Sequence, residues 1–226
     1  MEFAYTVKRS RKRKKLTITV ERDKSVVVHA PFELPDDRIG EILESKKAWV
    51  FEKLTHSQKY SDLPHPPGKE LVNGESALYL GKLYRIELVE QLEEICFSNR
   101  FLIPSSQQHQ RKTVLKNWYI AKAKEKLLPK AVGHAKELGV NFNHIKIVDN
   151  RYRWGSCTPR NNVNLNWRLI KAPMFTVDYV IVHELAHLLE ANHTANFWSI
   201  VRTHTPKMEK ARSWLKENGQ ILEEDI

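Results

Sequence analysis

Residues 177–198 read VDYVIVHELAHLLEANHTANFW. Histidines fall at 183, 187 and 193, and Glu184 follows the first of them. Val180, Val182, Leu185, Ala186, Leu188 and Leu189 surround them, so the spacing predicts a helix over about 177–190 set into an apolar core. Side chains four apart on a helix share a face, with Cβ atoms about 5–6 Å apart. His183 and His187 can therefore close on one ion. Glu184 is turned about 100° from His183, where its carboxylate can act as a general base without being a ligand, the arrangement that H-E-x-x-H provides for zinc.

A catalytic zinc site asks for a third protein ligand and one open position. His193 is the first candidate. Were the helix simply to continue, it would lie roughly 15 Å along the axis from His183, so the chain has to turn back before it. In the longer H-E-x-x-H-x-x-G-x-x-H pattern a glycine makes that turn. Here Glu190 holds that position, which departs from the metzincin pattern, and Asn192 is a residue that tolerates left-handed backbone. His204 and Glu209 are the other candidate third ligands. Glu190 reads as a surface or outer carboxylate.

Working outward, a helix is expected over 194–203 and another over 207–217, with Phe197 and Trp198 bracing the ligand helix. Before the motif, 145–148 and 162–167 read as strands around the segment Arg153-Trp154-Gly155-Ser156-Cys157. Trp154 and Gly155 there read either as core and bulge or as a strand bordering a cleft and pairing with an extended peptide. Cys157 reads as an inert buried thiol, with approach to the metal as the alternative. Residues 111–138 form a Lys- and Ala-rich helical pattern, expected to be interrupted near Pro129. Upstream, 76–80, 83–89 and 95–103 are strand-like, 61–68 is a loop, and one helix is expected from Pro35 to about Leu54. Alternation over 3–7, 16–20 and 26–28 predicts a β meander. The fold class is α+β, with a boundary expected near residue 105. Residues 1–105 form a β-rich region with one helix, and 106–226 form the catalytic region, with a small sheet and active-site helices.

Composition narrows the classes. The chain has 226 residues, 41% of them hydrophobic, and only 8 Gly and 10 Pro, which suits a folded core rather than disorder. No apolar run approaches the roughly 18 residues of a membrane span, and the basic N-terminus lacks the apolar stretch of a secretory signal. A cytoplasmic protein without membrane insertion is expected. Two cysteines, Cys96 and Cys157, make no disulfide framework.

The formal charge of +10 favours polyanionic partners. Residues 8–15 hold seven Lys and Arg and no acid. They read as a solvated turn or as a phosphate-binding surface, so nucleic acid is a candidate partner beside a protein or peptide substrate.

Together, Arg153-Trp154-Gly155-Ser156-Cys157, Leu165-Asn166-Trp167-Arg168-Leu169, the run from Asp178 to His187, Asn192-His193 and Phe197-Trp198 resemble the YgjP-like metallopeptidase domain family, which is similar to the SprT-like and WLM zinc peptidases. The most specific of these motifs lie within 153–198, and the N-terminal strand and basic hairpin also look like the family. The resemblance implies a zincin-type unit that binds Zn2+ at His183, His187 and His193, with Glu184 catalytic. The function expected is therefore peptide-bond hydrolysis by activated water, with Tyr179, Arg153 and His204 as candidate donors to the oxyanion. Two rivals remain at the level of sequence. One is a metal-dependent phosphohydrolase acting on nucleotides or nucleic acid, which the missing Gly-rich phosphate cradle disfavours. The other is a nucleic-acid-binding module with a structural zinc, its phosphate contacts at 8–15 and 112–126, for which no fourth ligand is evident.

Overall fold

Apolar alternation makes strands in the N-terminal region, as expected, but they pair in a different order. The computed structural model describes residues 3–21, 24–55, 69–150 and 153–223, and the chain falls into two compact units, Met1–Pro66 and Pro67–Ile226. In the first unit, β1 (Tyr5–Ser10), β2 (Thr17–Val20) and β3 (Val26–Pro31) form a sheet in the order β1-β3-β2. β3 is parallel to β1 and antiparallel to β2, so this is not a meander. Val26, Val27 and Val28 are all buried, and a strand covered on both faces belongs in the middle of its sheet.

Two helices follow where one was expected. α1 (Asp36–Ser45) and α2 (Lys47–Leu54) are separated at Lys46, whose backbone leaves helical geometry at φ −104°, ψ 6°. Ile39 and Leu43 of α1 pack on Val28 and Ala30, while Val50 of α2 packs on Val20 and Val26. The loop read at 61–68 lies outside the described residues.

In the second unit, β4 (Ser76–Tyr79), β5 (Lys82–Val89), β6 (Cys96–Phe97) and β7 (Phe101–Pro104) form a sheet in the order β4-β5-β7-β6. One short helical turn later, α3 spans Arg111–Leu138. Leu115, Tyr119, Ala123, Leu127, Ala131 and Ala135 recur every four residues along its buried face. Pro129 does not interrupt it. It lies on an exposed position, where water can take over the backbone bond that proline cannot make. Gly139, at φ 67°, closes the helix in the left-handed conformation.

The strands of 76–104 share one core with the helices that follow. Phe101 and Ile103 are buried in the same cluster as Tyr119, Trp167 and Phe197. Tyr119 donates its hydroxyl to the Leu78 carbonyl at 2.8 Å, and the Leu80 and Gly81 N–H groups donate to the Ile170 and Lys171 carbonyls. The compositional change near residue 105 thus falls inside the second unit, because its β-rich part packs on Trp118 and Tyr119 near the start of α3.

A second small sheet, in the order β8-β10-β9, is formed by β8 (His144–Val148), β9 (Gly155–Cys157) and β10 (Asn162–Asn166). β9 is an edge strand. Trp167–Lys171 then forms a buried 3-10 turn leading into α4 (Met174–Ala186), followed by α5 (Ala195–His204) and α6 (Met208–Glu223). α4 is apolar on nearly every side, which marks a helix enclosed by the core. No helix among the described residues is long and apolar enough to cross a membrane.

Candidate metal centre

α4 carries His183 and Glu184 on its last turn and ends at Ala186, with His187 as its C-terminal cap at φ −64°, ψ −15°. The chain then bends: the Leu188 and Leu189 N–H groups return to Leu185 and Ala186, and Glu190 N–H also reaches the Ala186 carbonyl. This reversal replaces the glycine turn of the longer motif. Among the described residues neither Glu190 nor Asn192 takes left-handed backbone geometry. Thr194 opens α5 by accepting the Phe197 N–H on its side chain, so the loop that carries His193 ends at a fixed cap.

The bend brings His193 back to the first two histidines. One nitrogen from each of His183, His187 and His193 lies within 4.8 Å of the others, and Nε2 of His183 and His193 are 3.1 Å apart. Zn–N bonds of about 2.0–2.1 Å hold tetrahedral donors roughly 3.3 Å apart, so the residues fit such an ion. His187 Nδ1 sits 3.3 Å from the Glu190 carbonyl, and a proton held there leaves Nε2 free to ligate. His183 Nδ1 is buried without a hydrogen-bond partner. Burial, and then the positive fields of His187, His193 and Arg212, lower the His183 pKa to about 3, which keeps this ring neutral.

Phe197 lies under all three rings, with centroids 5.0, 4.6 and 4.7 Å from those of His183, His187 and His193, and it is fully buried. Trp198 stacks on His193 at 5.5 Å and 23°. Arg212 of α6 lies over the Trp198 ring at 5.1 Å and pairs with Glu209 at 3.3 Å.

Glu184 is 7% exposed. Burial raises its pKa to about 7, against the opposing pull of Arg153 and of a hydrogen bond from the Cys157 N–H. β9 passes so close that a Cβ at Gly155 would stand 2.5 Å from Glu184 Cγ and 2.7 Å from Oε1. Asn166 positions that strand. It is 1% exposed, its side chain donates to the Asn150 and Arg153 carbonyls, and its N–H donates to Trp154 O.

The structure brings His183, His187 and His193 together, while Glu184, next to His183 on the last turn of α4, packs against Gly155. His204, in the last turn of α5, and Glu209, in the first turn of α6, do not join the cluster. Cys157 does not join it either; its thiol pKa is raised by burial and by the Glu184 charge. Of the candidate oxyanion donors, Tyr179 has its ring 5.9 Å from that of His183, and Arg153 acts electrostatically on Glu184. Trp154 packs on the core, as one reading had it, but Gly155 pairs with Leu165 in regular register and forms no bulge; it borders Glu184 instead. Arg212 is a neighbour of the site that sequence reasoning missed, since an arginine on an amphipathic helix carries no signal of what it faces.

A family profile described as YgjP-like, metallopeptidase domain, matches residues 14–218. The metallopeptidase zymogen jannalysin of Methanocaldococcus jannaschii is a partial structural neighbour: 18% identity, 41% of this chain, 95% of that one, TM-score 0.36. The metallopeptidase zymogen abylysin of Pyrococcus abyssi is another: 18% identity, 40% of this chain, 93% of that one, TM-score 0.34. No curated protein matches. Matched over most of its length, the chain belongs to the YgjP-like metallopeptidase domain family.

Proposed function

We propose that the chain is a zinc-dependent metallopeptidase in which His183, His187 and His193 hold the ion and Glu184 is the general base for peptide-bond hydrolysis. The observation that carries this reading is the convergence of three imidazole nitrogens within 4.8 Å, with the buried Glu184 on the same helical turn as His183. Three neutral nitrogen donors suit zinc rather than the oxygen-seeking Mg2+ or Ca2+, and three protein ligands leave a position open. When bound, the ion supplies Lewis-acid polarisation and acidifies water.

The remaining steps fall to the protein. Glu184 takes a proton from the attacking water and passes it to the leaving amine nitrogen. The Cys157 N–H holds its carboxylate, and the bare Cα of Gly155 makes room for it. β9 is the edge of its sheet, so an extended substrate that pairs with it by main-chain hydrogen bonds lies alongside Glu184. Tyr179, whose ring lies 5.9 Å from that of His183, and Arg153, whose charge acts on Glu184, are the candidate donors to the oxyanion.

The test is metal content together with hydrolysis of an unstructured protein and of nucleoside triphosphates, for the native chain and Glu184→Gln. One zinc per chain in both, with proteolysis reduced about 100-fold or more in the variant, is the expected result. Full proteolysis by zinc-loaded Glu184→Gln, or Glu184-dependent phosphate release without proteolysis, overturns the reading.

A further inference from the structure

The cations of the first unit are distributed unevenly. On its helices they pair with neighbouring acids: Arg38 with Glu41, Lys47 with Glu44, and Lys53 with Glu52. In the turn after β1, Arg11, Lys12, Arg13, Lys14 and Lys15 are all exposed, and among the described residues none of them meets a carboxylate. The Arg13 guanidinium donates to the Thr17 hydroxyl. Five consecutive positive charges are held without compensation, at a cost in mutual repulsion that neutral residues would avoid.

Arg9, within β1, shows that the neighbouring surface is built rather than loose. Its guanidinium donates to the Pro31, Phe32 and Leu34 carbonyls at 3.4, 3.0 and 2.5 Å and pairs with Asp36. The clamp fixes the segment that follows β3 and presents Phe32, an aromatic ring 52% exposed, beneath the Arg11 guanidinium at 5.0 Å. An aromatic face held next to unpaired cations offers a stacking platform with phosphate-binding groups at its edge.

We propose that this face binds single-stranded nucleic acid, with a base on Phe32 and Arg11 and the flanking phosphates on Lys12, Lys14 and Lys15. Single strands suit it better than duplex, because a paired base cannot reach Phe32 and the turn provides no helix for a major groove. A membrane surface suits it less well, since the face offers the single exposed ring of Phe32 rather than an apolar stripe to insert.

The experiment uses the full chain and a labelled mixed-sequence oligonucleotide, with anisotropy read across a salt series. The same strand as a duplex and vesicles of anionic phospholipid are measured alongside. The native chain should prefer the single strand. Substituting K12Q, K14Q and K15Q together should weaken binding and lower the slope of log affinity against log salt by about 2, at roughly 0.7 for each phosphate no longer neutralised. Phe32→Ser should weaken binding about 5- to 150-fold with the slope unchanged, and Phe32→Trp should restore it. A control set at Lys124, Lys136 and Lys216, each to Gln, should leave the slope in place. The proposal is overturned by an unchanged slope in the first set, an equal loss in the control set, tighter binding of duplex, binding to vesicles alone, or no effect of Phe32→Ser.

Discussion

Gly155 and Glu184 touch across 29 residues of sequence: the glycine's bare Cα faces the glutamate side chain at a distance that no Cβ could share. β9 and the carboxylate proposed as the general base therefore form one packed unit. Gly155→Ala has to displace either β9 or Glu184. Overpacking of this kind costs about 1–3 kcal/mol, and a carboxylate moved by about 1 Å can lose 100-fold in rate. The expected outcome is a folded protein with native metal content and kcat/KM reduced about 100-fold. Native kcat/KM in Gly155→Ala would mean that the close packing does not position Glu184.

The third ligand can be decided by substitution. His193→Ala should lower zinc affinity by more than the roughly 10- to 100-fold that follows removal of a group supporting a ligand from outside, while His204→Ala and Glu209→Gln leave it near native. Competition with a chromogenic chelator measures all three. Weaker zinc binding in His204→Ala than in His193→Ala would reverse the assignment.

Phe197 packs against each of the three rings from inside the core. Phe197→Ala should destabilise the fold by about 3–5 kcal/mol. Phe197→Leu fills most of the volume but does not brace the imidazoles, so it should fold and lose about tenfold in zinc affinity. Denaturation of the metal-free protein separates the two effects, and native affinity in Phe197→Leu would assign the ring to packing alone.

α4 is tied to α3 by a pH-sensitive pair. Asp178 accepts from Lys130 at 2.8 Å and meets His134 Nε2 at 3.1 Å. Burial pushes the Asp178 carboxyl upward, but the His134 and Lys130 hydrogen bonds outweigh it and hold the pKa below the usual range. The hydrogen bond to Asp178 raises His134, against the opposing effect of burial. The Asp178 contribution is present above about pH 4 and is lost as pH falls through its lowered value. The His134 contribution is complete below about pH 6.5 and is lost as pH rises through its raised value. The stability gap between the native chain and His134→Gln should be widest at about pH 5–6 and shrink by about pH 9. A gap of constant size across that range would show that His134 contributes by packing.

Much of this was legible in the sequence where the signal is local. Four-residue spacing set His183 and His187 on one face, and the apolar surroundings placed α4 in the core. The buried stripe of α3 was readable because its apolar residues repeat with the helical period. Pairing order was not readable: alternation tells which face of a strand is buried but not which strand lies beside it. The parallel partnership of β1 with β3 is therefore absent from the pattern. His193 was recognisable by type and distance along the chain, whereas the turn that returns it depends on backbone bonds to Leu185 and Ala186. The Gly155–Glu184 packing and the approach of Arg212 join distant elements, and no spacing rule reaches that far.

The shared core of residues 76–104 with α3, and the bonds from Tyr119, Leu80 and Gly81 across it, bear on how such a chain can be cut or recombined. A fragment beginning near residue 106 would keep His183, His187 and His193 yet uncover Trp118 and Tyr119 on its longest helix, against which Tyr79 and Phe101 pack. One beginning near residue 67 would keep both rings clothed. The smallest piece of chain with a closed core is thus much longer than the stretch from His183 to His193.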